Sequence, residues 1–159
     1  ASDVYKRQIL YIMHIVFGSD HAGYKMKQVL KNHLKSKYGV ETLFLIDIGC
    51  NTDEQKSDYP DLAKSLCEEV LKLNCIGVLI CGTGIGISIA ANRNPNIRCA
   101  LCHSVETAQM ARQHNNANVL AIGGRILSEK TAKNILDIFQ RDPSHHVAMQ
   151  KVIFAEGSL

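Results

Sequence analysis

The chain has 159 residues, 46% of them hydrophobic and only three of them proline, with a formal net charge of +3 and six cysteines. That length supports one well-cored domain and not two, and the charge is too mild and too dispersed for a nucleic-acid patch. No apolar run reaches the length of a membrane-spanning helix, and the cysteines, with no secretory signal pattern, are read as reduced thiols of a cytoplasmic protein.

Strand and helix signals then alternate along the chain. Residues 1–12 contribute no pattern that a core needs and are read as a leader outside the native fold, with Met13 as the natural start. Ile15 to Gly18 reads as a short strand, and Ala22 to Tyr38 as a helix with apolar residues at Met26, Val29, Leu30 and Leu34. Its lysines, Lys25, Lys27, Lys31, Lys35 and Lys37, read as a solvated face. Leu43 to Ile48 is a second strand, Gly49 to Pro60 a turn-rich loop, and Asp61 to Leu73 a helix. A third strand ends at Cys81, and Ile87 to Asn92 is the helix after it. Next come a strand at Ile97 to Cys102, a helix from Val105 to His114, a strand at Asn118 to Ile122 and a helix from Ser128 to Phe139. After a break at Arg141 to Ser144, His145 to Phe154 reads as a final helix, packing either on its own domain or on a second subunit.

Repeated βα units of this size predict a three-layer, Rossmann-like α/β fold: a parallel five-stranded sheet with helices on both faces, spanning residues 13–140, with 141–159 as a C-terminal arm. Ligands of such sheets bind beyond the carboxyl ends of the strands. That rule gathers Asp20, His21, Cys81 and His103 on one rim.

The stretch from Ile76 to Ser88, IGVLICGTGIGIS, is the most informative on the chain. A continuous apolar run delivers Cys81 to a strand end, and Gly82, Gly84 and Gly86 follow before a helix. Bare backbone N–H groups and a helix N-terminus make an anion site, and such a field favours a cysteine thiolate over its thiol. Cys81 is therefore a candidate nucleophile or base beside a phosphate or oxyanion pocket. Ile87 and Ser88 stand where a Walker loop needs Lys and Ser or Thr, and the GxGxxG spacing needs a glycine one place before Ser88, where Ile87 stands, which argues against a nucleotide-binding module. Cys99 and Cys102 have C-x-x-C spacing without a second pair, so no metal is expected there.

Asp20-His21-Ala22-Gly23, Asp58-Tyr59-Pro60, CGTGIGISIAANR from Cys81 and RQHNNANVLAIGGR from Arg112, in that order, resemble the ribose-5-phosphate isomerase B family, which includes galactose-6-phosphate and allose-6-phosphate isomerases. The resemblance covers Ile15 to about Phe139. It implies an aldose-ketose isomerase with no cofactor and no metal, a sugar phosphate as its substrate, and a homodimer or tetramer with the site between subunits. It also implies that Cys81 carries a proton between C2 and C1 through an enediolate, while backbone amides around Gly82 to Gly86 hold the oxyanion, each donor contributing roughly 3–4 kcal/mol. By the same resemblance His114 opens the sugar ring with Asp20 and Thr83, Asn115 orients the substrate, Tyr59 walls the pocket, and His21 and Arg125 meet the phosphate.

One segment departs from the family pattern. Where the family carries an Arg-His-x-x-Arg signature near its C-terminus, this chain has SHHVAMQKV, with His145, His146 and Lys151. Neither residue type reproduces a bidentate guanidinium clamp. A six-carbon sugar phosphate as substrate, or a non-catalytic paralogue that only binds sugar phosphates, are the alternatives this departure leaves open.

Overall fold

Five runs rich in Val, Ile and Leu pair in parallel. In the computed structural model, which describes residues 13–54 and 56–141, they are β1 (Met13–Ser19), β2 (Leu43–Gly49), β3 (Ile76–Cys81), β4 (Cys99–Leu101) and β5 (Val119–Gly123). The order across the sheet is β2-β1-β3-β5-β4, so the chain winds one way from β1 and then the other way from β3. Five helices return it: α1 (Tyr24–Tyr38), α2 (Tyr59–Leu73), α3 (Ile85–Asn92), α4 (Val105–Asn115) and α5 (Glu129–Gln140). The expected α/β architecture is the one observed, while the leader (residues 1–12) and the C-terminal helix expected at 145–154 lie outside the described residues.

Both faces of the sheet are covered, which is why its strands are apolar without alternation. On one face Ile15, Phe17, Val78, Ile80, Leu120 and Ile122 pack on α1, α4 and α5; on the other Val16, Leu79 and Ala121 pack on α2 and α3. Each fully buried Val, Leu, Ile or Phe among them contributes about 1.5–3 kcal/mol. Gly77 is small for a packing reason: a Cβ there would stand 2.6 Å from Leu66 and 2.7 Å from Val70 of α2.

Several element ends differ from the sequence reading. The helix read from Ala22 begins as a 3₁₀ turn at His21–Gly23, capped by Asp20, whose carboxylate accepts the Gly23 N–H at 3.0 Å. α2 starts at Tyr59, two residues early, because a proline in the first turn needs no N–H partner. α3 starts at Ile85, so Gly86 is inside its first turn and not in the loop before it. The strand expected over Ile97 to Cys102 shrinks to three residues. The Ile97 N–H bonds back to Asn94 O (3.0 Å) and the Arg98 N–H to Asn118 Oδ1 (2.8 Å), leaving no ladder there.

Lys27 is a larger correction. It does not join a solvated face: its side chain is 0% exposed and donates to Asp47 Oδ1 (2.7 Å) and to the Cys50 carbonyl (2.6 Å).

Candidate active site

β3 ends at the switch between the two winding directions, where the turns that follow β1 and β3 diverge and leave a crevice. The last strand residue, Cys81, is 6% exposed. Its Sγ accepts the Gly84 N–H at 3.1 Å. Gly84 makes this turn possible, since its φ of +80° is left-handed and a Cβ there would stand 2.8 Å from the carbonyl carbon of Ile122. The first intrahelical bond of α3 is Ser88 N–H to Gly84 O (3.1 Å), so the N–H groups of the first turn face the crevice end of the helix with its partial positive charge.

Neighbouring strand ends are laced to this loop. The Asp20 N–H bonds to Ile80 O (3.2 Å), the Gly124 N–H to Cys81 O (2.8 Å) and the Arg125 N–H to Gly82 O (3.0 Å). Asp20, 7% exposed, thereby stands beside the cysteine strand. The Arg125 side chain lies over Gly82, with Cδ and one guanidinium nitrogen each 3.5 Å from where a Cβ would be. The Tyr59 ring lies against Gly86 in the same way, at 3.0–3.1 Å. Thr83 is exposed at the loop tip, and its Oγ1 accepts the Ile85 N–H at 3.2 Å. A buried sulfur, a carboxylate, a hydroxyl, a guanidinium and an aromatic wall thus surround one glycine loop.

Ser19 Oγ, at the end of β1, and His21 Nδ1, in the turn after it, are buried without a hydrogen-bond partner, as is Ser57 Oγ two residues before α2. Of these residues only His21 is singled out by sequence. Ser19 is a small hydroxyl among many, and only the fold shows that it is buried beside Asp20. His103, two residues past β4, is exposed on the same rim.

His114 and Asn115 are elsewhere. They form the last turn of α4, which runs back from the carboxyl end of β4 toward the start of β5. Cys81 is level with Gly123, the last residue of β5, so about 13 Å of strand separates the two places. Asn115 instead lines a cavity of about 410 Å³ at the opposite edge, with Asn92, Asn94, Arg98 and Cys99. Within one chain, Cys81, Thr83, Asp20, His21, Tyr59, Arg125 and the glycines come together, and His114 and Asn115 do not join them.

Four of the other thiols are held further from the thiolate form. Burial, and then nearby Glu68, push Cys67 up to about 11; burial and Glu69 do the same for Cys75; burial drives Cys102 up to about 11 although Thr107 donates to lower it; and Cys99 goes higher still through burial. Among the described residues no group of three or more His, Cys, Asp or Glu side chains is placed to hold a metal ion, and no helix is long and apolar enough to cross a membrane.

An open parallel sheet with a glycine-lined crevice at its switch point defines a class of small-molecule-binding α/β proteins. Known proteins narrow that class. The Ribose/Galactose Isomerase family matches residues 15–153. Ribose-5-phosphate isomerase B of Escherichia coli is 44% identical over 124 residues, covering 77% of this chain and 80% of that protein. A ribose 5-phosphate isomerase from Thermotoga maritima superposes with a TM-score of 0.82 at 38% identity, covering 92% of this chain and 99% of that one. The Mycoplasma genitalium enzyme with bound ribulose-5-phosphate superposes at 0.79 and 35% identity, covering 92% and 98%. The chain belongs to the ribose/galactose isomerase family. It is a sugar-phosphate isomerase.

Proposed function

We propose that this isomerase interconverts ribose 5-phosphate and ribulose 5-phosphate through an enediolate, with Cys81 as the base. The observation that carries this reading is the Cys81 Sγ held by the Gly84 N–H at the mouth of the glycine loop. A carbon acid next to a carbonyl needs a base on one face and donors at the oxygen that gains charge. Cys81 as thiolate takes the C2 proton of the open-chain aldose; the C1 carbonyl oxygen becomes the enediolate oxygen facing the N–H groups of the loop. Returning the same proton to C1, with the oxygen-bound proton passing from O2 to O1, leaves the ketose. No redox partner is consumed, because the carbonyl gained at C2 is the one lost at C1.

Ring opening comes first. It requires a group that removes the anomeric hydroxyl proton and one that protonates the ring oxygen, a task for a histidine, which can both give and take a proton near neutrality. His114, with Asp20 and Thr83, fills that role, and Asn115 orients the hydroxyls. Arg125 and His21 hold the phosphate.

The distance of His114 from Cys81 supports a reading in which a second copy completes the site. α3 runs about 12 Å from the cysteine rim to the asparagine edge, and it exposes Ile85 at 51% and Ile89 at 63% one turn apart. Ile126, 58% exposed, adds to the apolar surface beside the loop. Two copies related by a two-fold axis, with their α3 helices antiparallel, set the Cys81 rim of each against the Asn115 edge of the other. That arrangement supports a homodimer with two composite sites.

The test is the initial rate of ribose 5-phosphate to ribulose 5-phosphate conversion, without added metal, for the wild type and for Cys81→Ala. Activity that the variant abolishes supports the reading. A folded wild type inactive on ribose 5-phosphate and active on a six-carbon sugar phosphate overturns the substrate while keeping the chemistry. Stabilisation by a sugar phosphate with no turnover of either favours a binding-only protein.

A further inference from the structure

The geometry points to Lys27 as a positioning residue for the isomerase site: its buried ammonium fixes Cys50, the first residue past β2, and from that root the approach to the Tyr59 wall. This rests on the reading of Tyr59 as a wall of the substrate pocket.

A fully buried ammonium is costly unless it is paired and hydrogen-bonded. Lys27 bonds to Asp47 Oδ1 (2.7 Å) and to the Cys50 carbonyl (2.6 Å), and it lies 5.5 Å from the centre of the Tyr24 ring. Neutralising Asp47 does not require it, because Lys31 Nζ already reaches Asp47 Oδ2 at 2.6 Å from a more exposed position. What Lys27 adds is direction. Cys50 is the first residue past β2, and its N–H bonds to Ser19 O (3.1 Å), the residue before Asp20. Lys27 therefore clamps the root of one rim segment to the helix that follows the other. One segment carries Asp20 and His21; the other ends in Tyr59 against Gly86. A second lysine in the same helix, Lys25, reaches Asp53 at 3.3 Å, but with 84% of its side chain exposed that contact is screened by water.

The experiment measures kcat/KM on ribose 5-phosphate, thermal midpoint and amide hydrogen exchange for Lys27→Met, Tyr59→Ala, their double variant and Lys25→Ala. Lys27→Met and Tyr59→Ala are each expected to lower kcat/KM about tenfold, and the double variant also about tenfold and not a hundredfold, because both act through one wall. Exchange in residues 50–54 accelerates in Lys27→Met while β3 and β5 keep wild-type rates. Lys25→Ala keeps wild-type kinetics. Should Lys27→Met fail to fold, Lys27→Gln replaces it in the same cycle. Wild-type kcat/KM in a Lys27 variant with a lowered thermal midpoint, beside a damaged Tyr59→Ala, overturns the positioning role alone. A fully multiplicative double variant also overturns it. Tyr59→Ala with wild-type kinetics overturns the wall reading and the proposal with it.

Discussion

At the carboxyl edge of the sheet, shape comes from missing side chains. Gly84, with Gly123 beneath it, lets backbone approach backbone, the Tyr59 ring crowds the place of a Gly86 Cβ, and Arg125 lies in van der Waals reach of Gly82. The opposite edge is built from amide side chains. Asn92 exchanges two hydrogen bonds with the Cys99 backbone (2.9 and 2.8 Å), and Asn118 takes the Arg98 N–H and donates to Asn96 O (2.8 and 3.1 Å). An edge made of glycine leaves N–H donors free for an anion. An edge whose backbone is satisfied by asparagine holds rigidly and presents what projects from it, here His114 and Asn115. The contrast teaches that the residues proposed for one site lie, within one chain, at two unlike edges about a strand length apart.

The largest expected effect breaks the first edge. Cys81→Ala is expected to lower kcat about a thousandfold while the thermal midpoint stays near that of the wild type, read by coupled assay and calorimetry. A residual rate within tenfold of wild type would assign the base elsewhere. Next, His114→Ala tests the second edge, with an expected loss of about a hundredfold on the cyclic substrate. Co-expressing it with Cys81→Ala joins the two edges: random pairing leaves half the molecules mixed, each with one intact composite site, so about a quarter of wild-type activity returns. If the site were complete within one chain, the mixture would show only the residual activity of each variant.

Arg125→Ala is expected to raise the Michaelis constant about tenfold with kcat little changed, because contacts remote from the reacting carbons bind ground state and transition state alike. A collapse of kcat at normal KM would instead place its charge on the enediolate. The smallest effect concerns stability. Cys67, Cys75 and Cys102 are raised from 9.0 to about 11, so the folded state keeps protons that the unfolded chain releases. Their contribution is complete below pH 9 and is lost as pH rises from 9 to 11. The thermal midpoint is expected to fall through that window, less steeply in Cys102→Ala, while a flat profile would mean that these thiols meet water in the folded protein.

Much of this was legible in the residues. Continuous apolar runs located every strand, and the cysteine with its glycines marked the candidate site, because a buried parallel strand and a bare turn each tolerate few residue types. Boundaries failed where a residue has two uses. Gly86 reads as loop, yet it is small because Tyr59 packs on it; Pro60 reads as a break, yet it opens a helix. Lys27 was hidden among five lysines. The signal that could have found it is its phase, since it stands three residues before Leu30 and seven before Leu34, both fully buried, on the apolar face of α1. The separation of His114 from Cys81 follows from which end of a strand a returning helix reaches. Whether a second copy completes the proposed site is a property of two chains and is not written in the order of one.

Gly23, in the turn capped by Asp20, carries a practical warning. A Cβ at that position would stand 2.3 Å from the Ile80 carbonyl oxygen, one residue from the catalytic candidate. A mutational scan scored by growth would therefore mark Gly23 as intolerant as Cys81, although it has no side chain with which to move a proton. Around this site intolerance and chemistry are different maps, and only the purified variants, sorted by folding before activity, tell them apart.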